Sequence, residues 1–142
     1  MNTIIKKRNF SVPVETLFKA FSQEAHLKQW WGPDGFSNTF YEFNFSEGGK
    51  WRFTMHGPDG KGYENESRFE TVKENELIVL HHISKPEYIA NFHFSSNENN
   101  SSSLLWEMVF ETEKAYEALK DIVTEKNEEN LNRLEVELEK IK

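Results

Sequence analysis

The 142-residue sequence predicts an α+β fold: a curved antiparallel sheet of six or seven strands wrapped around one long C-terminal helix. Three observations carry this reading. From Glu113 to Lys142 the chain has no Gly or Pro, and apolar residues recur at Tyr116, Leu119, Val123, Leu131, Leu134, Leu138 and Ile141, which is one stripe of a helix. From Phe36 to Glu111 the pattern has period two, with turn signals at intervals. Between a first short strand and this region lie two short helical segments.

Thr3 to Phe10 reads as the first strand. Pro13 in a first turn, with Ser11 as cap and Glu15 following, starts a helix through Val14, Leu17, Phe18 and Phe21. Ser22 is expected to cap a second helix through Ala25, Leu27 and Trp30, which Gly32-Pro33-Asp34-Gly35 ends. A strand over Phe36–Ser46 turns at Glu47-Gly48-Gly49 into Lys50–His56, where Trp51, Phe53 and Met55 share one face. After Gly57-Pro58-Asp59-Gly60, the Tyr63–Val72 strand sets Glu64, Glu66, Arg68 and Glu70 toward solvent and Tyr63, Asn65, Ser67 and Phe69 inward. Strands over Leu77–Ile83 and Tyr88–Phe94 follow, then a polar loop over Ser95–Ser103, then a last strand through Leu104, Trp106, Met108 and Phe110. The terminal helix would be about 40 Å long at ~1.5 Å per residue, so it must lie across something broad.

The chain is expected to form one domain spanning residues 1–142, with no repeat or linker. Twelve Phe and four Trp exceed what a small core usually needs, and such interiors often line ligand cavities. A net charge of −7, with Lys and Arg interleaved with Glu, argues against nucleic acid. No cysteine is present, so disulfides, thiolate nucleophiles and thiolate metal sites are excluded. Lys6, Lys7 and Arg8 precede no apolar h-region and no membrane span is signalled, so a cytoplasmic protein is the expectation.

Asn127 and Asn130 interrupt the helix stripe among Val123, Leu131 and Leu134. A buried amide without partners costs about 1–3 kcal/mol. Either the helix bends into solvent there, or both amides face an internal, partly hydrated pocket.

Trp30-Trp31-Gly32-Pro33 with Gly35-Phe36, preceded by Phe10-x-x-Pro13 and Leu17-Phe18-x-Ala20-Phe21, resembles the START-like, birch-pollen-allergen-like superfamily. Within it the chain is similar to the activator-of-heat-shock-protein-ATPase homologue family. The resemblance continues through Glu47-Gly48-Gly49-Lys50-Trp51-Arg52-Phe53-x-Met55 and Gly57-Pro58-Asp59-Gly60 to Leu131-Asn132-Arg133-Leu134-Glu135. It implies a helix-grip fold with a hydrophobic cavity between sheet and C-terminal helix, in a superfamily whose members bind lipids, hormones or polyketides and in a few cases catalyse cyclisation. Lys126-Asn127-Glu128 stands where similar chains often carry Gly and a large apolar residue, which implies a more polar cavity here.

Trp30 and Trp31, at the break of a helix, either gate a cavity mouth or pack the short helices on the long one; packing is the commoner role. His81 and His93 share a strand face by parity, while His82 and His56 face elsewhere. Two histidines without a third ligand make no zinc or iron site, so no metal or other cofactor is expected. His81 suits a hydrogen-bonding or titrating role at a cavity wall, and His26 belongs on the surface. No nucleophile elbow or triad is legible and no catalytic residue is assigned.

The leading reading is a non-enzymatic module that encloses a small apolar or amphipathic ligand. Its walls are Trp31, Phe53, Met55, Tyr63, Phe69, His81, Trp106, Val123, Asn127 and Asn130. The alternatives are a cyclase or dehydratase using His81 as acid or base, and a chaperone ATPase regulator on the family name. A homodimer through an exposed sheet edge is the expected oligomer, if any forms.

Overall fold

In the computed structural model, residues 2–141 are described; Met1 and Lys142, the last residue of the expected helix, lie outside them. The chain runs β1 (Thr3–Phe10), α1 (Val14–Ser22), α2 (Glu24–Trp30), β2 (Ser37–Phe43), β3 (Lys50–His56), β4 (Gly62–Lys73), β5 (Leu77–His82), β6 (Tyr88–Asn97), β7 (Ser101–Phe110) and α3 (Glu113–Ile141). All seven strands form one antiparallel sheet in the order β1-β7-β6-β5-β4-β3-β2. β2 to β7 make a meander, and β1 pairs with the last strand. The two short helices therefore carry the chain from one edge of the sheet to the other, and α3 returns to pack on α1, α2, β1 and β7. This is the helix-grip arrangement.

Inward positions alternate as the sequence predicts: Trp51 and Phe53 on β3, Leu104, Trp106, Met108 and Phe110 on β7 are buried. Each large side chain removed from water contributes about 1.5–3 kcal/mol before entropy is counted. The turn at Gly48-Gly49 sits close against β4, with Gly48 N–H donating to Phe69 O at 2.7 Å and Phe69 N–H to Gly49 O at 2.9 Å. A Cβ on Gly49 would stand 2.0 Å from Asn44 O, so that position needs glycine.

Local details depart from expectation in three places. Neither Ser11 nor Ser22 is a cap: Pro13 and Gln23 precede α1 and α2, without a side-chain cap bond, and Ser22 ends α1. The Ser95–Ser103 segment is a hairpin rather than a loop, because Ser95 pairs with Ser103 and Asn97 with Ser101 across a turn in which Asn99 and Asn100 are left-handed. His26 is half-buried, its Nδ1 3.0 Å from Oε2 of the buried Glu137.

Helix α3 is held at two places. At the β1 edge, Lys6 Nζ donates to Glu128 at 2.8 Å, Arg8 pairs with Glu128 and Glu135, and Arg8 donates to Asn132 at 2.9 Å. The Lys6 hydrogen bond, against some burial, holds the Glu128 carboxyl below the usual range. Over the concave side, Arg133 spreads one guanidinium across the carbonyls of the α2–β2 connection. Its Nη1 donates to Gly32 O and Pro33 O at 2.9 Å and to Trp31 O at 3.4 Å; its Nη2 donates to Gln29 O at 3.0 Å and Phe36 O at 2.9 Å.

Substituting Arg133→Met is expected to cost about 3 kcal/mol, because carbonyls partly shielded from water lose charged donors. Urea unfolding should show the loss as a lower midpoint with an unchanged slope. Arg133→Lys, a point charge that cannot span five acceptors, should recover less than half of it.

Candidate functional site

The α2–β2 connection and α3 roof a pocket of about 130 Å³ over the sheet. The roof consists of Trp31, Gly32 and Pro33 beside Lys126, Asn127 and Asn130 of α3. Gly32 has φ +102, a conformation that L side chains rarely adopt, so the turn of the roof depends on glycine; a Cβ there would also displace the flexible end of Met55, 2.7 Å away. Its N–H donates to Asn130 Oδ1 at 3.2 Å. The floor is built from alternate residues of successive strands: Trp51, Phe53 and Met55, then Asn65 and Ser67, Leu80 and His82, Tyr88, and Trp106 and Met108.

Of the expected wall residues, Trp31, Phe53, Met55, Trp106, Asn127 and Asn130 are brought together around this pocket. Four are placed elsewhere. Tyr63 lies at the start of β4 beyond the end of β5, 46% exposed, with its ring 6.1 Å from that of Phe36. Phe69 is buried toward the opposite end of β4, packed on Phe43, Phe45 and Trp51. Val123 is half-buried and packs on the edge of the core.

His81 is on the outer face of the sheet. Its Nε2 is 2.6 Å from Glu87 Oε2 and its Nδ1 3.5 Å from Glu70 Oε1. The His81 hydrogen bond is the largest cause holding the Glu87 carboxyl below its ordinary range, whereas for Glu70 it is that of Arg68. His93 faces outward as well, 2.9 Å from Glu107, so the shared face of His81 and His93 is the wet one. The imidazole at the pocket is His82. Leu77, Ile78, Val79 and Leu80 are apolar at both parities, so this strand alone does not mark its inner face.

Trp51, Ser67 and Trp106, only 2%, 1% and 3% exposed, carry buried polar atoms without a protein partner, namely the two indole Nε1–H groups and the hydroxyl. Among the described residues only one further side-chain atom shares this condition, Asn38 Oδ1, which is outside the pocket. Trp30 Nε1 by contrast donates to Ala20 O at 3.0 Å. A larger, open groove of about 280 Å³ runs between Asn9–Val12 and the end of α3, and none of the unpartnered atoms belongs to it. The polar Asn127 amide has only Met108 Sδ, a weak acceptor 3.1 Å away, as its partner for Nδ2.

The sequence model of the family described as "Activator of Hsp90 ATPase homolog 1-like protein" matches residues 11–139. The chain belongs to this family. Among solved structures it is similar to a protein from Arthrobacter aurescens (19% identity, 98% of this chain and 87% of that one, TM-score 0.90). It is similar also to proteins from Nitrosomonas europaea (16%, 99% and 96%, TM-score 0.88) and Staphylococcus epidermidis (24%, 99% and 92%, TM-score 0.86). At these identities the likeness establishes the fold. A comparison with proteins of curated function finds no match.

The family match takes in every residue of the pocket. In this family member the pocket histidine is tightly held. His82 stacks on Tyr88 with centroids 4.5 Å apart and planes 16° apart, Nδ1 is 3.0 Å from Pro86 O, and Nε2 is 2.8 Å from Asn65 Oδ1 and 3.4 Å from Ser84 Oγ. Pro86 O accepts from Nδ1–H, which fixes the tautomer. Only the protonated ring donates on both sides, yet burial, the largest influence, pushes its pKa below the ordinary 6.5. Burial pushes the Tyr88 phenol well above its usual range, so it stays a neutral hydroxyl.

The sign of the pH dependence follows. Above about pH 6.5 both folded and unfolded His82 are neutral; as pH falls below it, the unfolded chain takes up a proton that the folded chain resists, and stability drops until the lowered folded pKa is passed. His82→Phe, which keeps a ring on Tyr88, is expected to flatten this part of the stability curve below pH 6.5 in urea titrations at stepped pH. An unchanged slope would contradict a depressed His82.

Proposed function

We propose that this family member is a binding module that takes a small molecule into the pocket between α3, the Trp31–Pro33 roof and the sheet. One observation carries the reading: three of the four unpartnered buried side-chain atoms among the described residues belong to residues around one 130 Å³ pocket. Each such group costs about 1–3 kcal/mol when left unpaired, so a molecule that pairs them has a ready gain. Aromatic walls supply apolar contact at about 25 cal/mol per Å² buried, and Asn127, nearly free of protein partners, orients the occupant.

Ser67 is opposite His82 on the neighbouring strand, but no hydrogen bond joins them. The Ser67 hydroxyl is unpartnered and His82 Nε2 is turned to Asn65 Oδ1, so no activated nucleophile is assembled. His81, the acid or base of the enzymatic alternative, is on the far face of the sheet. Regulation of a chaperone ATPase rests on the family description alone; stimulation of such an ATPase by the purified protein would be its support.

Thermal shift against a panel of ring compounds and lipids tests the reading. A ligand at about 100 times its Kd should stabilise by roughly 2.7 kcal/mol, which raises Tm by roughly 8 °C in a chain of this size. Asn127→Leu is expected to shift the preference toward apolar members of the panel. No stabilisation by any compound would contradict the proposal.

A further inference from the structure

We infer that the occupant of this pocket is an uncharged, single-ring molecule carrying a carbonyl acceptor, of the cyclic ketone, pyrone or lactone kind. The inference rests on the binding reading above and adds size, charge and hydrogen-bond sense to it.

Size comes from volume. A cavity of about 150 Å³ accommodates one benzene. The pocket here, about 130 Å³, is of that order, so it takes a single small ring and has no room for a sterol or a long acyl chain. Enlarging it would require moving Trp31, Trp51 and Trp106, which pack on one another at centroid distances of 5.2 Å and 6.0 Å.

The sense of hydrogen bonding comes from the unpartnered atoms. An indole N–H donates and never accepts. Trp51 and Trp106 therefore ask for acceptor atoms, and the Ser67 hydroxyl rotates to suit either sense. A purely apolar ring would leave both indole donors buried and unpaired.

Charge comes from what surrounds the pocket. A buried carboxylate needs a cation or several fixed donors. The guanidinium of Arg133 is already distributed over backbone carbonyls. Lys126 is on the exposed side of the rim, 3.8 Å from Glu129. His82 faces Pro86 O and Asn65 Oδ1, and its burial favours the neutral ring. The residues around the pocket thus include two unpaired donors suited to a carbonyl oxygen. Among the described residues the one cation at the rim, Lys126, is exposed and paired with Glu129, so an anion has no buried counter-ion.

Indole ¹H–¹⁵N resonances of the full chain test the inference, with Trp→Phe variants for assignment and Trp30 Nε1, bonded to Ala20 O, as internal control. Four probes are titrated: γ-pyrone, toluene, benzoate and palmitate. Saturable shifts of the Trp51 and Trp106 resonances by γ-pyrone, with affinity at least tenfold above toluene and benzoate and no palmitate binding, are expected. Trp106→Phe should weaken γ-pyrone about tenfold, and Ser67→Ala gives a second reading if that variant does not fold. If toluene, benzoate or palmitate binds as tightly as γ-pyrone, the carbonyl-ring class is overturned and the binding module stands. If none of the four moves either resonance, the carbonyl-ring class is overturned, and the thermal-shift panel decides the binding module separately.

Discussion

The contact on which the site depends is the Arg133 guanidinium laid across the carbonyls of Gln29, Trp31, Gly32, Pro33 and Phe36. A connection carrying Gly32, Pro33 and Gly35 has no ladder or helix to satisfy its backbone, and without donors it would go to water. One planar side chain on α3 supplies them, which a lysine cannot do because its donors radiate from a point. One turn earlier, Asn130 takes the Gly32 N–H. Leu131 and Leu134, both buried, fix the helix beneath these two residues. The sequence motif at Trp30–Phe36 and the one at Leu131–Glu135 are thus two halves of one clamp, about 100 residues apart in the chain.

Much of this was legible beforehand. Alternation on β3, β4 and β7 reads cleanly because charged residues mark the outer face, and the gap in the helix stripe at Asn127 and Asn130 points to the pocket. Both amides are buried, so the helix does not bend away there. Other features are not encoded locally. The inner face of β5 is hidden by four consecutive apolar residues and set by pairing, Ser67 opposite His82, so His82 rather than His81 reaches the pocket. Ser102 and Ser103 look like loop residues until they find Val12 O and Asn9 Oδ1 as partners across the corner of the sheet. That Asn130 acts through Gly32 is visible only once the two motifs are brought together.

The polar groups of the pocket divide into those that build it and those that it leaves over. Asn130 accepts from the Gly32 N–H, Asn65 Nδ2 donates to Tyr63 O and His82 Nδ1–H donates to Pro86 O, so these three are committed to the protein and the bonds offset part of their cost of burial. Trp51, Trp106 and Ser67 are not, and they are buried as deeply as the hydrophobic core around them. A fold selected for stability alone would place Phe or Ala at such positions. Their concentration around one small volume, under a roof held by two side chains of α3, is the observation on which the binding proposal rests.

The central claim, that α3 and the Trp31–Pro33 segment close the pocket as one unit, is tested most directly by native-state amide hydrogen exchange at Gly32. The account expects Gly32 to be protected in the natural chain, and its exchange to accelerate about a hundredfold in Arg133→Met while amides in the β6–β7 ladder change far less. Fast exchange of Gly32 in the natural chain, or an unaltered rate in the variant, would show that the roof is not held by this clamp.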